Sequence, residues 1–366
     1  MRWKKVLDDM KPYKPGRSIE EVKKQYGLKE VIKLASNENP YGCAPSVQTF
    51  IENAGIEPQI YPDGYAGSLR KKLSEKIGVK EEALMFGNGS DEIVMIISRA
   101  LLGSGTNTIM ATPTFPQYAH NAKIEGAEIR EIPLQDGQHD LEEFVKAIDD
   151  NTSVVWLCNP NNPTGNLIPN DDLLGFLKRV PDNILVVLDE AYFEYITEEG
   201  HTDSLTLLEE FPNAIVLRTF SKAYGLAAFR IGYAVGEPKV ISYLNTVRSP
   251  FNVTSLSLAI AEKALEADKF IKKCNLLNGN EKKRFIAYAT NNKLHLFDSE
   301  ANFVLIEVPG NADEASEKLL THGFIVRSGE ALGTPGYVRV TIGTEEQNTG
   351  FFAAFDSLLT DAKLKL

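Results

Sequence analysis

Between residues 83 and 236 short apolar runs alternate with stretches of helical periodicity. The runs fall at 84–86, 108–111, 128–132, 154–158, 184–188, 215–217 and 231–235. Amphipathic patterns at 91–102 and 141–148 predict helices in two of the gaps. Strands alternating with helices predict a mostly parallel central sheet covered by helices on both faces, an α/β fold. The last two runs break the rhythm. They lie too close together for a helical crossover, which leaves an antiparallel strand or a tight loop.

Past residue 266 the pattern changes. Residues 268–290 read as one long helix, and strand candidates follow at 303–307, 324–327 and 337–342 with helices between and after. That is an α+β pattern and predicts a smaller second domain. The expected division is a segment 1–39 packing with the small domain, a large α/β domain 40–266 and a small domain 267–366.

Composition narrows the function. With 39 basic and 50 acidic residues the chain carries a formal charge of −11. Such a chain is a poor partner for nucleic acid or anionic membranes, so an anionic ligand must be held by local donors. Cys43, Cys158 and Cys274 lie far apart with no C-x-x-C pair, and the five histidines are scattered. No metal site is expected. The start of the chain is charged and has no apolar core of a signal peptide, so the expected location is cytoplasmic.

Ligands of open α/β sheets bind outside the carboxyl ends of the strands. The run 154–158 is followed by Asn159-Pro160-Asn161-Asn162-Pro163-Thr164-Gly165, and 184–188 by Asp189-Glu190-Ala191-Tyr192. After 215–217 comes Arg218-Thr219-Phe220-Ser221-Lys222-Ala223-Tyr224-Gly225, with Arg230 beyond. After 84–86 comes Gly87-Asn88-Gly89-Ser90-Asp91-Glu92, opening a helix. Each has a bland alternative: a solvated lysine, a proline-rich turn, or a turn capped by Ser90 or Asp91. An acidic strand end resembling a Walker B motif has no G-x-x-x-x-G-K-[ST] to accompany it. Together, however, they match one cofactor. Pyridoxal 5′-phosphate (PLP) needs an amine for its aldehyde, an acid at its ring nitrogen, donors at its ring oxygen and a cage for its phosphate. Asp91 beside a phosphate is electrostatically wrong unless its side chain turns back to cap the helix.

These motifs, with Ser221-Lys222-Ala223-Tyr224-Gly225-Leu226-Ala227 and Arg230-Ile231-Gly232-Tyr233, resemble the fold-type I, class II aminotransferases of the PLP-dependent transferases. Narrower motifs at Tyr13–Gly16, Leu34–Pro40, Tyr61–Gly64, Pro113–Phe115 and Val338–Thr344 resemble the members acting on L-histidinol phosphate. The resemblance implies that Lys222 carries the cofactor as a Schiff base, that Asp189 pairs with the ring nitrogen, and that Asn162 and Tyr192 bond the ring oxygen. It implies that Ser90, Asp91, Thr219, Ser221 and Arg230 hold the cofactor phosphate and that Phe115 covers the ring. Tyr61 would reach the site of a second subunit, which makes a homodimer. Arg339 would bind the substrate anion, with Tyr13, Asn39, Asn162 and Arg327 beside it.

The implied reaction moves an amino group from L-histidinol phosphate to 2-oxoglutarate in histidine biosynthesis. Lys222 can move a proton only as a neutral amine, which requires burial and nearby cations such as Arg230. The rival substrates are phenylalanine and tyrosine, and a rival reaction is decarboxylation of a phosphorylated amino acid. A reading from another class is a PLP-binding regulator fused to a DNA-binding module. The acidic charge and the motifs running from Tyr13 to Thr344 argue against it.

Overall fold

The computed structural model describes residues 1–12 and 16–363, with side chains as far as 360. After a short strand β1 (Ile32–Lys33) come β2 (Leu84–Gly87), β3 (Asn107–Thr112), β4 (Glu128–Pro133), β5 (Thr152–Cys158), β6 (Leu185–Asp189), β7 (Ala214–Thr219) and β8 (Gly232–Gly236). The last seven form one sheet in the spatial order β2-β8-β7-β6-β5-β3-β4. Strand β8 runs against both β2 and β7, while β3 to β7 pair in parallel. Each predicted apolar run forms one of these strands. The crowding of the last two runs is resolved as an antiparallel return, so residues 220–231 are a compact loop at the sheet edge.

Alternation along the strands builds a core on each face. Val154, Trp156 and Cys158 pack with Ile93, Ile97 and Tyr118 on one side. Val155 and Leu157 pack with Phe144, Phe176 and Val216 on the other. The helices Ser90–Leu101 and Leu141–Ala147 cover these faces, within one residue of the predicted limits at each end.

The helix Asp268–Asn292 has 25 residues and leads to a second, three-stranded sheet. Its members are β9 (Phe303–Glu307), β11 (Arg327–Ser328) and β12 (Tyr337–Thr341), ordered β11-β12-β9 and antiparallel. The single strand expected at 324–327 is divided. Its first half, β10 (Phe324–Ile325), pairs in parallel with β1, and the chain changes sheets at the buried Val326. This switch sets Arg327 directly across from Arg339.

The N-terminal segment touches both parts. The helix Ile19–Tyr26 buries Val22 against Leu320 and Ile325, and the backbone at Leu34 bonds Ile325 and Thr341. Farther out, Lys4 reaches the carbonyl of Ile124 and the carboxylate of Glu125. Among the described residues no helix is long and apolar enough to cross a membrane.

Candidate active site

Because β2 and β7 run the same way, the carboxyl ends of β2, β7, β6, β5 and β3 share one edge, with segments 35–37 and 327–339 facing them. A cavity of about 480 Å³ opens there. Its walls include Ser90, Asp91, Phe115, Asn162, Asp189, Tyr192, Thr219, Ser221, Lys222, Arg230, Arg327 and Arg339. Every one of these is expected from the sequence motifs.

Lys222 projects from the 220–231 loop, with Nζ donating to the Ser36 carbonyl at 3.2 Å and lying 5.7 Å from the Tyr192 ring centre. Burial lowers its pKa to about 8, and the Arg339 cation adds to the effect. Arg230 contributes in the same direction but less than Arg339. Asp189 ends β6 with its carboxylate almost fully buried. Burial pushes it up to about 6, against the hydrogen bonds from the Tyr118 hydroxyl (2.7 Å) and the Ala191 amide (3.2 Å).

The Asn-Pro loop divides its labour. Asn159 accepts the Ile168 amide and Asn161 accepts the Thr114 hydroxyl, so both fix the loop. Only Asn162 of the three faces the cavity, where its Oδ1 accepts Arg339 Nη1 at 2.6 Å. Its amide group is left to donate. Tyr192 Oη accepts Asn37 Nδ2 at 3.0 Å, which leaves its hydroxyl proton for a ligand.

At the other end the helix Ser90–Leu101 starts behind Gly89 with no side-chain cap. The cap expected of Asp91 does not form. Its carboxylate lies 3.5 Å from Arg230 Nη2, and Glu92 takes the Asn88 amide instead. The Ser90 and Asp91 amides are thus open, and Ser221 Oγ accepts Arg230 Nη1 at 3.4 Å. A Cβ on Gly232 would sit 2.7 Å from the Ser90 nitrogen, and one on Gly89, already at φ +79°, 2.7 Å from Arg230 Nη2. Glycine keeps this anion cradle open. Thr219 lines the cavity, but its hydroxyl binds the Ile231 carbonyl and accepts the Ser221 amide, so it shapes the loop.

Arg327 and Arg339 are direct partners across β11 and β12 and both line the cavity. Like charges directly opposite destabilise a sheet, so an anion between them is the natural relief. Arg339 also donates to the Ala35 carbonyl at 2.9 Å. Four cations line the cavity (Lys222, Arg230, Arg327, Arg339) against two carboxylates, Asp91 and Asp189, among the described residues. The site is locally positive in an acidic chain.

Two expected residues are elsewhere. Asn39 is held off the cavity because its side chain spans the Ala223 carbonyl (2.8 Å) and the Tyr41 amide, pinning the backbone beside Lys222. Tyr61 is 78% exposed and stacks on Phe251, away from this cavity. Tyr13 lies outside the described residues. Conversely, Asn37 and Tyr118 were not singled out from sequence. Asn37 lies in the Leu34–Pro40 motif at φ 56°, but nothing in the sequence says which of its two asparagines turns inward. Tyr118 follows Phe115 by one helical turn, and an aromatic there reads as core.

A reactive amine, a buried acid without a countercharge and an anion cradle, grouped at the strand ends of a helix-covered sheet, define the class: an α/β protein built for an aromatic aldehyde phosphate. The family model for aminotransferases of class I and II matches residues 29–355. The chain belongs to that family. It is 53% identical over 361 residues to the histidinol-phosphate aminotransferase of Lysinibacillus sphaericus, covering 99% of each chain. It is 49% identical to that of Bacillus subtilis (strain 168), covering 98% of this chain and all of that one. The crystal structure of histidinol-phosphate aminotransferase from Sinorhizobium meliloti in complex with pyridoxal-5′-phosphate superposes with a TM-score of 0.88 at 27% identity, covering 98% of both chains.

Proposed function

We propose that this chain is a PLP-dependent aminotransferase that moves the amino group of L-histidinol phosphate to 2-oxoglutarate, giving imidazole-acetol phosphate and L-glutamate. The observation that carries the substrate reading is the opposed pair Arg327 and Arg339. The donor presents a phosphate where glutamate presents its α-carboxylate, and a planar guanidinium pairs with either anion. Full-length identity near 50% to relatives named for this reaction supports the same reading.

The residues fit the cofactor. Lys222 Nζ would bond its aldehyde carbon, and Asp189 would face the ring nitrogen. Asn162 and Tyr192 would donate to the ring oxygen, with Phe115 over the ring. The Ser90 and Asp91 amides, Ser221 and Arg230 would hold the phosphate, with Thr219 setting the loop. When bound, the cofactor supplies an electron sink that acidifies the substrate's α-C–H bond. Asp189 keeps the ring nitrogen protonated by meeting its charge. Lys222, with a pKa near 8, has a substantial neutral fraction at physiological pH and carries the α-proton on its Nζ. Arg339, braced by Asn162 and Ala35, fixes the substrate anion and so aims the C–H bond.

Residues 40–266 hold the cofactor and 267–366 bring the substrate arginines, with 1–39 packing on the smaller part and reaching the larger through Lys4. The working unit is a homodimer in which Tyr61 crosses to the partner's site. Its exposed ring stands among the exposed Ile60, Tyr65 and Phe251, an apolar patch suited to burial by a second copy. The unpaired Cys43, Cys158 and Cys274 suit a reducing cytoplasm.

The test is a panel of L-histidinol phosphate, phenylalanine and tyrosine on holoenzyme, with each half-reaction followed by cofactor absorbance and 2-oxoglutarate as acceptor. The expected result is the highest kcat/KM for L-histidinol phosphate. A preference for phenylalanine or tyrosine, or release of carbon dioxide, would overturn the substrate assignment.

A further inference from the structure

Asp189 must stay ionised to serve the cofactor ring, yet its surroundings oppose that. Cys158, Tyr118 and Tyr192 surround it as neutral groups, and the nearby charges of Asp91 and Glu190 are of the same sign. Among the described residues two donors oppose this pressure, and only one is a side chain. The Tyr118 hydroxyl gives its single proton to Asp189 Oδ2 at 2.7 Å.

The Tyr118 ring has no freedom. It is fully buried in the helix Gln117–Glu125 and stacks on Trp156 at 4.8 Å and 12°. Trp156 is itself fixed, since its Nε1 donates to Thr108 Oγ1, which donates to the Val154 carbonyl, both at 2.8 Å. On the other side Phe115 meets the Tyr118 ring edge-on at 5.4 Å. The aromatic at the cavity and the donor behind the carboxylate therefore stand three residues apart, just before and just inside the start of this helix.

We propose that Tyr118 is a positioning residue of the reaction: its hydroxyl holds Asp189 ionised and aimed at the cofactor's ring nitrogen, and so sets how tightly the cofactor is bound. The inference rests on the cofactor assignment above. A hydrogen bond from a neutral donor to a carboxylate favours the charged form, so its loss makes Asp189 easier to protonate.

The test uses Tyr118→Phe, which keeps the ring and its stacking. Two dissociation constants are measured on cofactor-free protein across a pH series. One is for PLP, and the other is for an analogue with C–H in place of the ring nitrogen. The wild type should prefer PLP. In the variant PLP binding should weaken roughly tenfold to a hundredfold, and its loss on the acid side should begin at higher pH. The analogue's affinity should match the wild type's, because it offers Asp189 no N–H. Equal weakening for both ligands would reduce Tyr118 to a packing role, and unchanged PLP binding would remove any role for its hydroxyl. Either result overturns the inference and leaves the cofactor assignment standing. A wild type that binds neither ligand, or both equally, would overturn the Asp189 assignment itself.

Discussion

Asp189 and Glu190 are consecutive residues at the end of β6, and both are buried, at 3% and 1% exposure. Their surroundings are opposite. Glu190 Oε2 accepts both Arg218 Nε (2.9 Å) and Nη2 (2.7 Å), and the same guanidinium reaches Asp203 and lies 3.5 Å over the Phe193 ring. Among the described residues Asp189 has only a phenol and an amide. One carboxylate ties two strands together with a built-in cation. The other is kept short of one and raised to about 6 by burial. A buried charge without its partner is unfavourable in the protein alone, and that is the mark of a place where a cationic ligand group belongs.

The sharpest way to break this contrast is Asp189→Asn. Turnover should fall by roughly a thousandfold, while the cofactor-free protein should be no less stable in urea. The sign follows from the raised carboxyl. Folded Asp189 holds its proton to about pH 6, against 3.8 for an ordinary aspartate, so the penalty on the charged form is full above pH 6 and vanishes as pH falls towards 4. Asparagine removes that pH dependence. Arg218→Met should do the reverse, losing about 3–5 kcal/mol of stability because Glu190 is left buried and uncompensated, as urea titration would show. A variant of Arg218 that keeps full stability would erase the distinction between the two carboxylates.

Smaller effects refine the picture at the cavity mouth. Arg339→Lys replaces a fork with a point charge and removes a bond to either Asn162 or Ala35. It should lower kcat/KM by about tenfold to a hundredfold, measured with L-histidinol phosphate. The mildest effect lies at Lys222. Competitive labelling of the cofactor-free protein with an amine reagent should give this lysine an apparent pKa near 8, against 10.5 for an ordinary one. Arg339→Ala should move that value up, since one neighbouring cation is gone.

The contrast also explains what the sequence could show. The seven strands were legible because each is a short apolar run bounded by turns, and Asp189, Asn162 and Lys222 because they follow such runs at a shared edge. The sheet switch at Val326 was not, since 324–327 is one continuous run and pairing partners lie far away in sequence. Nor did the pattern show that Asn39 turns to Ala223 while Asn37 turns to Tyr192, because a loop's asparagines are chosen by tertiary hydrogen bonds. Tyr118 was hidden for a physical reason: its ring obeys the helix's apolar periodicity, and only the hydroxyl, invisible to that periodicity, serves the site.

The central claim is that Lys222 is the residue bonded to the cofactor. Borohydride reduction of the holoenzyme, followed by proteolysis and mass spectrometry, tests it most directly. The expected result is one pyridoxyl label, on Lys222, and none in Lys222→Ala. A label fixed on another lysine of the wild type, or no label at all, would contradict the account.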